Sequence, residues 1–216
     1  YLKWMRHTAA QCVKRGARIY LNLECTKDML DKEGYDAVVI AVGAEPIVPK
    51  RIPGIDKPHV SLAPDAELGN APVGDNIVIV GAGQVGLEAA LDFAKDGKKV
   101  TVIEMTDAMT AMMKGGGNGD FNDKLREYNV VVKYDTALAE VKDDCVAVKD
   151  TKSGNISELP CDTVLLAMGI KPRLDVVDAL RHSCPETSVA IVGDCNNKAG
   201  TIAEAVNQAF QACIHI

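Results

Sequence analysis

Uninterrupted apolar runs alternate along this chain with segments of helical period, and their order predicts an α/β fold. Ile77, Val78, Ile79 and Val80 are apolar at every position, as a parallel strand covered on both faces requires. The runs 35–43, 100–103, 163–168 and 189–194 have the same character and predict further buried strands. Apolar residues at helical spacing predict helices over 1–15, 84–95, 121–128 and 201–216. In the first, Leu2, Met5, Ala9, Cys12 and Val13 share a stripe. In the last, Ile202, Ala205, Val206, Ala209, Phe210 and Cys213 are expected to point inward. Gly16 ends the first helix, and a short strand is expected over 19–23. Segments 130–133, 137–142 and 145–150, with turns at 142–144 and 152–155, predict an antiparallel meander or ribbon.

Two stretches lack either period. Residues 44–64 carry prolines at 46, 49, 53, 58 and 64 and read as an extended connection between domains. Residues 105–119, with Met109, Met112 and Met113 before Gly115-Gly116-Gly117, read as a surface loop. Two of the strand ends, YDAVVIAVGAEP and CDTVLLAMGIKP, mirror each other: an Asp, an apolar run, Ala-x-Gly, then Pro. That internal similarity predicts two related domains, each with a strand leaving it at such a turn.

The candidate chemistry sits in residues 76–104. Gly81, Gly83 and Gly86 follow the first strand of this unit at the spacing G-x-G-x-x-G, a helix starts within the turn, and Glu104 closes the second strand 18 residues after Gly86. Each part has a physical role in holding a dinucleotide. The first glycine permits the tight turn, the second lets backbone approach a pyrophosphate, and the third lets helix and strand pack closely. The helix start at Gln84 and Val85 offers N–H groups and a positive dipole end to phosphate. A carboxylate at position 104 can accept hydrogen bonds from both ribose hydroxyls. The competing reading is a βα turn that binds nothing. Glu104 would repel a 2′-phosphate, and Met105, Thr106 and Asp107 offer no Arg or Lys to receive one, so NAD(H) is expected over NADP(H). Gly193-Asp194 places another carboxylate at the carboxyl end of a strand, where α/β ligands bind, although a cap or turn role is equally open there.

Composition adds exclusions. With 47% hydrophobic and 25% charged residues in 216, the chain can build a substantial core as one or two domains. A net charge of −6 offers phosphates no basic stripe and argues against nucleic acid and acidic membrane as partners. No apolar stretch approaches the roughly 20 residues of a membrane span, and no signal-peptide pattern opens the chain. The seven cysteines contain no C-x-x-C, and reduced, mostly buried thiols in a cytoplasmic protein are expected. The four histidines have no ligand spacing, so no metal site is expected.

Taken in order, Ala41-Val42-Gly43, the Gly81-Ala82-Gly83-Gln84-Val85-Gly86 turn with Glu88 and Glu104-Met105, Ala167-Met168-Gly169 and Gly193-Asp194 resemble the two-dinucleotide-binding-domain flavoprotein oxidoreductases. The resemblance implies a Rossmann-like NAD-binding domain, a parallel sheet with a β-meander, inserted in a split FAD-binding domain. The Ala-x-Gly strands would be the crossovers between the two, and Asp194 would meet the FAD ribitol. More narrowly, the ending VGDCNNKAGTIAEAVNQAFQACIHI and the opening helix are similar to the carboxyl-terminal part of the NADH:flavin oxidoreductase group, which includes 2,4-dienoyl-CoA and 2-enoate reductases. Trimethylamine dehydrogenase-type proteins, with ADP in place of FAD, resemble this portion as well.

Several family features are absent from these residues. The first FAD βαβ unit, with its own G-x-G-x-x-G, is not present, nor are a TIM barrel or cluster cysteines. The chain is therefore expected to be a fragment, with 1–70 and 172–216 as the remainder of a truncated FAD domain and 71–171 as a complete NAD domain. NADH binding should survive in it, whereas the FAD pyrophosphate cradle is missing. FMN and a 4Fe-4S cluster are implied only for the missing amino-terminal part, which would also hold the small-molecule substrate, and the intact enzyme could be a homo-oligomer. The implied chemistry is hydride transfer from NADH to flavin, needing no acid or base from this chain. The alternatives are another flavin reductase, such as an NADH oxidase or ferredoxin reductase, and a nucleotide-binding module that holds NAD or ADP without turnover.

Overall fold

The computed structural model describes residues 2–113, 119–182, 189–197 and 200–216. Along the chain the elements begin with α1 (Leu2–Lys14), α2 (Lys27–Glu33), β1 (Val38–Ile40), β2 (Ala44–Pro46), β3 (Val60–Leu62) and α3 (Ala63–Glu67). Next come β4 (Asn76–Val80), α4 (Gln84–Lys95), β5 (Lys99–Ile103), α5 (Ala108–Met113), α6 (Gly119–Glu127) and β6 (Val131–Lys133). The chain continues through β7 (Thr136–Val141), β8 (Cys145–Asp150), β9 (Ile156–Pro160), β10 (Thr163–Leu166) and β11 (Ile170–Pro172). It closes with α7 (Leu174–Arg181), β12 (Val189–Ile191), a 3-10 turn Gly193–Cys195, and α8 (Ile202–His215). Packing divides it into two units, Tyr1–Gly43 with Arg173–Ile216, and Ala44–Pro172.

The second unit is built on a five-stranded parallel sheet in the order β3-β10-β4-β5-β6. Its apolar runs are explained by cover on both faces. Ile77, Ile79, Val100, Val102 and Leu165 point to one side, where Leu87, Ala90 and Leu91 of α4 and Leu125 of α6 bury them. Val78, Val80, Ile103, Val164 and Leu166 point to the other, against Leu138, Val141, Val146 and Val148. That second cover is the antiparallel sheet β7-β8-β9. It holds two of the three strands expected of the meander; the third, residues 131–133, instead pairs parallel with β5 at the edge of the main sheet, and β9 takes its place. The two segments that follow the mirrored Ala-x-Gly sequences lie side by side, since β2 and β11 pair antiparallel with Ala44 opposite Pro172.

The division between units differs from the expected limit near residue 70. Residues 44–70 are not a bare connection. β3 forms the sheet edge, with Val164 N–H donating to the His59 carbonyl at 2.9 Å, and Ala63 and Ala66 of α3 enter the core. A three-residue edge strand preceded by three prolines in the stretch 49–58 gives no periodic signal, which is why packing alone reveals it. The expected loop over 105–119 is likewise broken by α5, while Gly115, Gly116 and Gly117 lie outside the described residues.

The first unit holds the parallel pair β1 and β12, with Leu30, Ile40, Val177, Leu180 and Cys195 in its core. Here α2 is marked by Thr26, whose Oγ accepts the Met29 N–H, and by Gly34 beyond its end. α8 starts in a capping box: Thr201 Oγ1 accepts the Glu204 N–H at 3.2 Å and Glu204 Oε2 accepts the Thr201 N–H at 2.6 Å. Its inward face is only in part the one expected. Ala205, Gln208, Ala209 and Ala212 are half-buried, while Ile202, Val206, Phe210 and Cys213 are exposed. The α1 stripe is exposed too, with Leu2 and Met5 more than half open to solvent. Residues 19–23 are not a strand; among the described residues they have no sheet partner, and a strand without one leaves its backbone groups unpaired. Among the described residues, no helix is long and apolar enough to cross a membrane.

Among the described residues cysteine burial is divided rather than general: Cys145, Cys161 and Cys195 are buried, and Cys12, Cys25 and Cys213 are exposed on or near the uncovered segments of the first unit, while Cys184 lies outside the described residues. Burial, with the neighbouring Cys145 as a smaller cause, pushes the Cys161 thiol up to about 11. Iodoacetamide at about pH 8 is therefore expected to alkylate Cys12, Cys25 and Cys213 well before Cys145, Cys161 and Cys195. Site-resolved mass spectrometry reads this directly, and Cys161 reacting as fast as Cys12 would contradict the packing.

Candidate functional site

β4 delivers the chain into the glycine turn at the carboxyl end of the parallel sheet, and the three glycines do different things there. Gly81 sits at φ +110°, a conformation that suits glycine, and a side-chain carbon on it would overlap the Ala167 carbonyl oxygen. A carbon on Gly86 would overlap the Gly81 carbonyl oxygen, so α4 can lie against the turn only with glycine at that place. Gly83, the residue before α4, would carry a side chain into open space. The first and third glycines are thus spent on backbone packing, and the middle one leaves clear the approach that a pyrophosphate would use. No side chain caps α4. The N–H groups of Gln84, Val85 and Gly86 have no acceptor within the helix, and the positive end of its dipole lies with them. Such a start fits an anion without further help.

Glu104 stands beside this turn, as expected from the second strand. Its Oε2 accepts the Ala82 N–H at 3.0 Å, and its Oε1 accepts the Thr106 N–H at 2.9 Å and the Thr106 hydroxyl at 2.8 Å. The carboxylate is therefore oriented by both the glycine turn and the residue two beyond it. Backbone bonds extend the support, with Glu104 N–H donating to the Lys133 carbonyl at 2.9 Å and the Glu104 carbonyl accepting Thr136 N–H at 2.8 Å. Tyr134 lies close by, and burial, then the Glu104 charge, holds its phenol above the ordinary tyrosine range. Asp107 is held below the usual carboxylate range by the Thr110 N–H and hydroxyl.

The structure brings together Gly81, Ala82, Gly83, Gly86, Glu104 and, from β10's end, Ala167. Ala167 N–H donates to the Val80 carbonyl at 2.9 Å, and Gly169 turns at φ +89° with its carbonyl accepting Ile47 N–H at 3.0 Å. Glu88 lies one turn along α4, exposed, with its Oε1 accepting from Gln84 Nε2 at 2.9 Å. Met105 is exposed beyond Glu104, and Met168 packs on the meander side of the sheet. Ala41, Val42, Gly43, Gly193 and Asp194 belong to the first unit. There Asp194 Oδ1 accepts the Gly200 N–H at 2.9 Å and lines a depression of about 100 Å³ with Thr201 and Gln208, far less than a dinucleotide fills. Among the described residues no group of three or more His, Cys, Asp or Glu is gathered as a metal ligand set.

Against this geometry, the sequence model of the pyridine nucleotide-disulphide oxidoreductases matches residues 4–209. The chain belongs to that family. Its members are flavoprotein oxidoreductases that bind FAD and NAD(P)H, and the α/β fold with its parallel sheet is theirs. A cinnamate reductase of Clostridium sporogenes is 29% identical over 205 residues, covering 93% of this chain and 30% of its own. A bilirubin reductase of Mediterraneibacter gnavus is 31% identical over 185 residues, 86% of this chain and 28% of its own. An NADH oxidase of Thermoanaerobacter brockii is 27% identical over 222 residues, covering all of this chain and 33% of its own. Among solved structures, a 2-naphthoyl-CoA reductase in complex with 2-naphthoyl-CoA superposes on the whole chain with a TM-score of 0.84 at 27% identity, using 32% of its own length. A thioredoxin reductase of T. acidophilum, 20% identical with a TM-score of 0.62 over 83% of this chain, shares the fold. The chain spans about a third of the length of the curated relatives named here.

Some of what surrounds Glu104 had no warning in the sequence. Thr106 could have been suspected, because a hydroxyl two residues after a carboxylate is placed to donate back to it. Tyr134, Asp135 and Lys152 arrive from later turns with no motif, and only the pairing of strands reveals them.

Proposed function

We propose that this chain is the NADH- and flavin-handling portion of a longer flavoenzyme of the NADH:flavin oxidoreductase group, one that reduces an enoate or a dienoyl-CoA. The observation that carries the nucleotide half of this reading is the Glu104 carboxylate, anchored on the Ala82 N–H beside an uncapped helix start and a clear Gly83. In this reading the amides of Gln84, Val85 and Gly86 take the pyrophosphate, Glu104 takes the ribose hydroxyls, and Ala167 with Gly169 borders the nicotinamide side. Asp194 and the Ala41-Val42-Gly43 turn contribute to the flavin side in the intact protein. FAD, when bound, supplies the acceptor for the nicotinamide hydride, while the residues here orient the dinucleotide and hold its phosphates. The first unit is then the remainder of an FAD domain, and FMN, a 4Fe-4S cluster and the substrate pocket belong to a further, amino-terminal part. Support for the enoate half comes from the cinnamate reductase and 2-naphthoyl-CoA reductase relatives, each about three times the length of this chain. The chain contains no C-x-x-C, which leaves a disulfide-reducing role the weaker proposal.

The NADH oxidase relative, matched along the whole chain, supports a second reading in which dioxygen is the acceptor. Anaerobic addition of NADH to the full-length protein loaded with FAD separates the readings. Bleaching of the flavin, reversed by cinnamate or an enoyl-CoA, is expected. Reversal by dioxygen alone would favour the oxidase, and bound NADH without bleaching would favour a nucleotide-holding module.

A further inference from the structure

The strand end that carries Glu104 is tied to two turns far along the chain. Asp135 N–H donates to the Thr106 carbonyl at 3.0 Å, and the Thr151 hydroxyl donates to the Met105 carbonyl at 3.4 Å. Thr151 N–H in turn donates to the Asp135 carbonyl at 2.7 Å, closing the group. These bonds set Lys152, from the β8–β9 turn, beside the loop 104–107. Lys152 is no accident of a floppy surface: its own N–H and that of Ser153 donate to Asp150 Oδ1 at 3.0 and 2.6 Å, which fixes the turn. Its ammonium is engaged, with Nζ at 2.7 Å from Asp135 Oδ2, and the Asp107 charge also acts on it. The lysine side chain is 71% exposed and the Asp135 side chain 23%, so solvent screens the pair at its lysine end, and the ammonium can exchange partners.

We propose that Lys152 is a latent binding group for a ribose 2′-phosphate, kept from that role by Asp135 and Asp107. A phosphomonoester carries about −1.5 to −2 charge at neutral pH. At this loop it meets Glu104 and Asp107, and Lys152 already answers Asp135. Rejection of NADPH is in this account a property of three carboxylates and a lysine, not of Glu104 alone. The proposal rests on the reading of residues 81–104 as a dinucleotide site.

Calorimetric titration of the full chain with NADH and with NADPH tests it. Asp107→Asn can still accept the Thr110 N–H, and Asp135→Asn suits the left-handed conformation at φ +52°, so the double variant keeps both backbones. The double variant is expected to bind NADPH about tenfold more tightly, with NADH changed less than about twofold, the NADPH gain shrinking as salt is raised. Adding Lys152→Met should remove most of the gain, leaving only the part that comes from fewer negative charges. An unchanged ratio of NADPH to NADH affinity, or a gain undiminished by Lys152→Met, overturns the assignment. Should the double variant melt below its parent, the exposed Asp107→Asn alone carries the test, with about a threefold gain expected and an unchanged ratio again fatal. An unaltered chain that binds neither nucleotide removes the dinucleotide reading and this one together; NADH binding with a fixed ratio removes this one only.

Discussion

Replacing Gly86 by alanine is expected to cost about 1–3 kcal/mol of stability, whereas the same change at Gly83 should leave stability within about 0.5 kcal/mol. The two sites differ by three residues and by what a methyl group meets. At Gly86 it overlaps the Gly81 carbonyl oxygen and lies 3.1 Å from the Ala167 side chain, both within a core formed by α4, β4 and β10. Relief requires α4 to move off the sheet, which opens contacts of Leu87, Ala90 and Leu91 with Ile77 and Ile79. At Gly83, φ is −73° and no atom lies within 4 Å of the added carbon, so alanine is accommodated. The order reverses for nucleotide. Gly83→Ala places its methyl where a pyrophosphate would approach, and NADH affinity should fall about tenfold in a chain that melts like its parent. Urea unfolding and NADH titration of both variants read the contrast. A Gly83→Ala chain that binds NADH like its parent would remove the turn from the site.

Glu104→Ala should be felt in both measurements. In the folded chain the carboxylate accepts hydrogen bonds from Ala82 N–H, Thr106 N–H and the Thr106 hydroxyl. Ala82 is buried, and leaving its N–H without an acceptor costs about 1–3 kcal/mol. Loss of the acceptors for two ribose hydroxyls should weaken NADH by about 10- to 100-fold, since hydrogen bonds to charged groups contribute about 1.5–3 kcal/mol each and water replaces part of them. Glu104→Gln keeps an acceptor oxygen and the side-chain length, so it should recover most of the stability while retaining part of the binding defect. NADH affinity unchanged in both variants would separate Glu104 from nucleotide altogether and leave it as a brace for the turn.

Legibility in the sequence tracked the distance over which the signal acts. The β4–α4–β5 unit was readable to within a residue, because an apolar strand, three glycines and a helix period are all encoded by neighbours. The β7–β8 hairpin of the meander was readable from its turn, whereas the exchange of residues 131–133 for β9 was not, because strand partnership is set by distant residues. α2, α3 and α7 were not, each being eight residues or shorter and embedded in polar or proline-bearing sequence. The apolar stripe of α8 misled for a different reason. A helical period states that one face is apolar, and says nothing about which face the rest of the chain covers; here Ala205, Ala209 and Ala212 lie inward and Val206 and Phe210 do not.

By itself the sequence determined the fold class, the position of the glycine turn and the carboxylate that follows it. These follow from backbone sterics and side-chain periodicity among adjacent residues, which no distant contact needs to supply. The tertiary structure alone decided that residues 44–70 close the sheet of the second unit, that Gly81 and Gly86 serve packing while Gly83 stays clear, and that Asp135 and Lys152 stand beside the loop that follows Glu104. Those facts depend on which strands pair and in what register, and pairing joins residues whose separation along the chain carries no local signal.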